Sequence, residues 1–244
     1  AAATGMETSK YAFLQGKSFI SVHLMPDLVI LDPRLTRAKD GKAVAEAGFA
    51  AFGRILEADI APDRNPLMHA YAFTALRFLR ENLADAVNKR CNKKASLAVA
   101  NAVAMSGCVI SNTDQNVLNR LGQVFQKIVH VHPGMIIGMC LHPFLDDCMK
   151  KDSSLIASLL LPLGGDDKYA AMPEAGRAGE ALRDIYEFSY EIYRSLKGKI
   201  PRTITEAGIQ QYLMNDVMDI INQEPDGAYL RTMIDRVGGG SIKA

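Results

Sequence analysis

No block of like charges marks this 244-residue chain, and its formal net charge is only +1. The densest basic stretch is Asn88-Lys89-Arg90 followed by Lys93-Lys94, too little for the electrostatic footprint that nucleic-acid binding requires. No uninterrupted apolar run reaches the roughly 18 residues needed to cross a bilayer, and no basic region followed by an apolar segment opens the chain. No nucleic acid and no membrane are therefore expected as partners, and a cytoplasmic location follows. The four cysteines, Cys91, Cys108, Cys140 and Cys148, are widely spaced with no C-x-x-C pair, so they read as buried free thiols packing as small apolar residues. Nowhere does a G-x-G-x-x-G or Walker-type loop follow a strand, which excludes the usual pyrophosphate cradle. No Ser-His-Asp or Cys-His arrangement has supporting local sequence. The glycine cluster Gly238-Gly239-Gly240-Ser241 has no helix after it and reads as a flexible tail.

What remains is an ordinary globular composition, 48% hydrophobic and 23% charged, with enough chain for one large domain or two small ones. Tyr11 to Leu14 and Ser18 to Leu24 alternate around Gln15-Gly16-Lys17, a hairpin pattern with a glycine turn. Leu28 to Leu31 reads as a buried strand stopped at Asp32-Pro33. Beyond it no strand pattern is convincing. Helical spacing predicts helices over Ala43 to Asp59, Pro66 to Lys89, Lys93 to Ser111, Asp114 to Val129, Met135 to Lys150, Ser153 to Leu161, Pro173 to Lys197, Thr205 to Asn222 and Asp226 to Val237. Asp114 and Ser153 suit N-caps, Pro66 and Pro173 suit a first helical turn, and Gly198 suits a C-terminal exit.

The densest patterning lies in Asn112 to Pro143, which also holds three of the five histidines. Val117, Leu118, Leu121, Val124, Phe125 and Ile128 fall at three-and-four spacing, one apolar helix face. His130-Val131-His132 then runs into Pro133-Gly134, the end of that helix and a tight connection. His130, His132 and His142 form a conceivable three-histidine metal cluster; as loop and helix residues they would equally serve no ligand. His23 and His69 are isolated. Asp146-Asp147 and Asp166-Asp167 would diverge by about 100° if helical, and read as solvated turn or cap residues rather than paired acids.

Several segments together resemble the iron-containing alcohol dehydrogenase family. Leu28 to Arg37 (LVILDPRLTR) and Ser111 to Gly134 follow its skeleton, and Ile200-Pro201-Arg202-Thr203 with Ile204-Thr205-Glu206-Ala207-Gly208-Ile209 resembles its late Pro-Arg-Thr-Leu-x-Glu-x-Gly-Ile segment. Ala3-Thr4-Gly5-Met6-Glu7 looks like the second half of its cofactor-closing loop. The resemblance implies a mainly α fold: residues 1–33 as trailing strands of a dinucleotide-binding domain whose remainder is absent, and residues 34–244 as a helical, metal-binding-type C-terminal domain. It further implies NAD(P)-dependent interconversion of a small alcohol and an aldehyde, NAD or NADP as cofactor with Thr4 and Gly5 near it, iron or zinc as metal, and a homo-oligomer.

The family holds its metal with an Asp and a His one turn apart, a third His, and the His of a Pro-His-Gly. These positions map onto Ala50, Arg54, Asn119 and Pro133, with Gln123 at the family's other histidine. Alkyl side chains offer no lone pair, amides bind such metals poorly, and Arg54 sets a fixed positive charge where the ion belongs. The expectation is therefore a metal-free divergent or truncated member, named as an oxidoreductase. In it Arg54 substitutes electrostatically for the cation, paired with Glu46 or Asp114. The alternatives are a non-catalytic interaction or scaffold subunit that retains the fold, and a small-anion binder using the old cleft of Arg54, Asn119, Gln123 and His132.

Overall fold

The computed structural model describes residues 5–14, 17–32, 34, 40–61, 65–88, 92–113 and 117–238. Its sheet is one antiparallel hairpin, β1 (Tyr11–Leu14) and β2 (Lys17–Ile20), with Tyr11 opposite Ile20 and Leu14 opposite Lys17. Helices account for the rest of its regular structure: α1 (Gly41–Asp59), α2 (Pro66–Asn88), α3 (Lys93–Ser111), α4 (Val117–Val129), α5 (Pro133–Lys151), α6 (Ser153–Ser158), α7 (Leu160–Gly164), α8 (Asp166–Ala171), α9 (Glu174–Ser195), α10 (Gln211–Ile221) and α11 (Gly227–Val237). The mainly α architecture with a leading hairpin is that implied by the sequence.

The core is built around α1, which packs against α2, α3, α4 and α5. From Ala45 to Asp59 every residue of this helix is buried, as expected of a helix surrounded on all sides. Phe49, Phe52, Ile55 and Leu56 are fully removed from solvent, each contributing about 1.5–3 kcal/mol relative to exposure. Close approach depends on glycine. A Cβ at Gly134, in the first turn of α5, would lie 1.7 Å from the Glu46 carbonyl oxygen, so only hydrogen lets α5 seat on α1. The predicted α4 stripe is realised, with Leu118, Leu121, Val124 and Phe125 buried.

α3 is long and apolar enough to span a bilayer by length and composition, yet 67% of the relevant window is buried inside the protein; its apolar character serves the packing against α1 and α2. Helix ends follow local chemistry. Pro66 opens α2, and Gly198 leaves α9 at φ 81° beside Lys197 at φ 48°, conformations that favour glycine. Asp152 rather than Ser153 caps α6, accepting from the Ser154 N–H. The helix expected over Thr205 to Asn222 starts later, whereas that over Asp226 to Val237 is found as expected. Residues 204–208 form turns, and α10 begins only at Gln211.

The strand expected over Leu28 to Leu31 does not form. Those residues carry no strand structure, and Leu28 and Ile30 are 76% and 80% exposed. A strand needs an edge to pair with, and among the described residues the sheet ends at two strands. Pro33, Cys91, Asp114 and the glycines after Gly238 lie outside the described residues, as does Thr4.

Candidate functional site

Burying ionisable groups is costly unless each finds a partner, and α1 buries four: Glu46, Arg54, Glu57 and Asp59. Lys42 approaches Glu46 one turn away at 3.8 Å. Asp59 meets Nδ1 of His69 on α2, so this isolated histidine is a structural partner. The Glu57 carboxylate reaches across to α4, where it accepts the N–H of Val117 and, at 3.2 Å, the N–H of Leu118. It thereby caps a helix start that has orphan donors and a positive dipole end. Burial nevertheless raises its pKa to about 7, with those backbone donors opposing the rise.

Arg54 occupies the centre of the family-like positions. It is 3% exposed, and its Nε donates to Oδ1 of Asn119 at 2.9 Å, a bond spanning two helices. Desolvation lowers its pKa to about 10, and the charge of Glu7 opposes this, so the guanidinium remains cationic at neutral pH. Glu46 is not the neighbouring negative charge that the sequence suggested, and Asp114 lies outside the described residues. Glu46 is turned to Lys42, and it is Glu7, in the 3-10 turn Met6–Thr8, that acts on Arg54.

Gly5 joins this group, with φ 78°, buried against α3. A Cβ there would sit 2.7 Å from Ser106 Oγ, 2.8 Å from the Val103 carbonyl and 3.3 Å from Nη1 of Arg54. The described chain thus gives Gly5 a packing role.

The other family positions converge on the same spot. Ala50 lies one turn before Arg54, and its backbone N would be 3.1 Å from a Cβ on Gly134; Pro133 would be 3.0 Å from one on Gly122, a turn beyond Asn119. Gln123 is half-buried on the same face of α4 as Asn119, four residues on. The four positions that resemble the family's ligand positions thus lie together, and they carry two alkyl groups, an amide and a cation. Iron or zinc does not fit this set.

The histidines do not replace it. His132 caps α5, its Nδ1 accepting from the Gly134 N–H at 3.1 Å. His130, itself exposed, stands at φ 59° between half-buried neighbours. His142 lies under Tyr186, ring centroids 4.1 Å apart, and burial lowers its pKa. No group of three or more His, Cys, Asp or Glu among the described residues is placed to hold a metal. Asp146 and Asp147 are not merely solvated: both face Arg236, at 3.5 and 2.7 Å, tying α11 to α5. The described cysteines, Cys108, Cys140 and Cys148, are free thiols; burial pushes Cys140 up to about 12 and Cys148 to about 11, which disfavours any thiolate chemistry.

Sequence reading missed Glu7 and Glu57. Glu57 stands three residues after Arg54 on α1, but its role depends on α4, 60 residues away. No local pattern signals it.

No family model matches the sequence. Over 176 residues the chain is 25% identical to the sulfoacetaldehyde reductase of Bilophila wadsworthia, covering 69% of this chain and 44% of that protein. It is 21% identical over 226 residues to long-chain-alcohol dehydrogenase 1 of Geobacillus thermodenitrificans, covering 91% and 55% respectively. Among solved structures, 1,3-propanediol oxidoreductase superposes with a TM-score of 0.82 at 19% identity, over 97% of this chain and 64% of that one. The chain spans about half the length of these curated relatives, and the structural likeness establishes a shared fold.

Proposed function

We propose, from the premise that this chain resembles the iron-containing alcohol dehydrogenases in sequence and has the fold of their helical C-terminal part, that it is a metal-independent member of that oxidoreductase family. The observation that carries the proposal is the buried Arg54 to Asn119 hydrogen bond at 2.9 Å, made between two positions where the family would place ligands. A divalent ion in such a site would polarise an alcohol or carbonyl oxygen. Here a fixed guanidinium, offset by Glu7, supplies positive charge without a coordination sphere, and it cross-links α1 to α4. Interconversion of a small alcohol and an aldehyde with NAD or NADP is the chemistry of the lineage. In this chain it would have to proceed without a Lewis-acid metal.

Elemental analysis of chelator-free protein for iron, zinc, nickel and manganese tests the proposal. We expect metal far below one atom per chain, and no rise in Tm on adding any of the four. Stoichiometric metal would overturn it. Arg54→Ala, which leaves Asn119 and Glu7 without their buried cation, is expected to cost about 1–3 kcal/mol in urea unfolding; an unchanged stability would remove Arg54 from the structural role.

A second reading, a non-catalytic interaction subunit that retains the fold, is favoured by one observation. Leu14, Ile20, Val22, Leu28 and Ile30 are each more than 60% exposed along one N-terminal segment, an apolar surface of the kind that marks association.

A further inference from the structure

At the opposite end of α1 from Arg54 lies a cavity of about 670 Å³ that none of the chemistry above uses. Twelve residues separate Lys42 in its wall from Arg54, roughly 18 Å along the helix. Its walls come from the start of α1, the approach to α5, the end of α9 and the segment 198–207, which includes the late motif Ile200-Pro201-Arg202-Thr203. Its volume is in the range of small-molecule sites, about 300–1,000 Å³.

Three cationic side chains line it: Lys42, Lys199 and Arg202. Lys199 and Arg202 make no ion pair among the described residues, and Lys42 has only the long 3.8 Å contact with Glu46. The wall also holds one carboxylate, Glu206, whose Oε2 accepts the Arg202 backbone N–H at 2.7 Å and holds the turn closed, so the lining carries three cations against one anion. The Arg202 guanidinium is held above the rings of Tyr193 and Tyr190, 5.3 and 5.6 Å from their centroids. Such cation–π contacts hold the guanidinium without consuming its donors.

Tyr193 also lines the cavity, and the residue is only 6% exposed, its ring stacked on Phe49 at 5.2 Å. Its hydroxyl is turned to the α5 backbone, where a Cβ on Gly138 would lie 3.0 Å from it, so the ring rather than the hydroxyl serves the cavity. Met135, Val131 and Ile200 complete the lining with apolar surface.

We propose that this cavity is a binding site for a small phosphorylated molecule, its phosphate held by Lys199 and Arg202 and its body against Met135 and Ile200. Lysine binds phosphate as a point charge and arginine through its planar fork, and the two together match a compact dianion better than a flat, extended ligand. The site shares no residue with the Arg54 group, so it stands whether or not the chain transfers hydride.

Calorimetric titration of the full chain with inorganic phosphate and, separately, with phenyl phosphate tests the assignment. Both are expected to bind, phenyl phosphate several-fold tighter through its ring. Lys199→Gln and Arg202→Gln should each weaken binding roughly tenfold, the loss of one charge-assisted hydrogen bond. Tyr193→Phe, which keeps the ring under Arg202 and removes a hydroxyl that the cavity does not reach, should leave binding unchanged. Equal affinity for the two ligands would overturn the apolar body and leave free phosphate as the occupant. Arg80 and Arg194 line a neighbouring cavity of about 610 Å³ that shares Arg202. Binding that Arg80→Gln weakens more than Lys199→Gln would move the phosphate there and overturn the assignment, as would no binding, or binding indifferent to both Lys199→Gln and Arg202→Gln.

Discussion

Glu57 shows how one residue on α1 couples burial to acidity. Its folded pKa, about 7, lies above the ordinary value of 4.5. The unfolded chain therefore releases the proton first. Stability from this group is complete below about pH 4.5 and is lost as pH rises through about 7. Glu57→Gln removes the titration but keeps an oxygen for the α4 donors. The variant should match the parent at pH 4 and gain on it from there up to about pH 7, beyond which the gain levels off, in urea midpoints at fixed ionic strength. A gain in the opposite direction would place the ionised form as the better cap. Arg54 has the contrary sign. Burial lowers its pKa to about 10, which leaves it charged through the neutral range, so its contribution should be flat between pH 5 and 8.

At the scale of elements, the seating of α5 on α1 turns on glycine. Gly134→Ala would drive a methyl into the Glu46 carbonyl, a backbone atom that cannot rotate away. Overpacking costs typically about 1–3 kcal/mol, and here the upper end is expected, read as a fall in Tm with altered near-UV circular dichroism. Gly179, exposed on α9 with nothing within 4 Å of an added Cβ, should behave oppositely. Gly179→Ala should stabilise by about 0.5–1 kcal/mol through helix propensity alone. Equal effects at the two glycines would mean that α1 and α5 do not approach as described. Helix starts and stops of this kind were partly legible in the sequence: Pro66 at the first turn of α2 and Gly198 after α9 act through their own φ preferences. The short α8 (Asp166–Ala171) was not. It is held to α9 by Lys168, which bonds Glu180 at 2.8 Å and Asp184 at 2.5 Å, contacts that have no local signature.

For the whole molecule, the segment from β1 to Ile30 is the exception to a well-buried chain. A two-stranded hairpin is marginal alone and leaves unpaired edges, and apolar side chains follow it into solvent. We expect a second copy to cover this surface. Light scattering across a dilution series should then report masses above the 26.6 kDa monomer that fall when Leu28→Asp and Ile30→Asp are introduced together. A monomer at every concentration would leave the surface without this role.

The sequence by itself determined the helical architecture, the apolar face of α4, the hairpin, and the absence of ligand side chains at Ala50, Arg54, Asn119 and Pro133. These are properties of residue type and spacing, which periodicity and side-chain chemistry report directly. Only the tertiary structure decided that Arg54 bonds Asn119 and answers to Glu7, that Glu57 caps a helix 60 residues on, that Leu28 to Leu31 has no sheet to join, and that Lys42, Lys199 and Arg202 line one cavity. Each of those depends on which groups meet across long stretches of chain and on what water is excluded when they do, and neither is written in any local window of sequence.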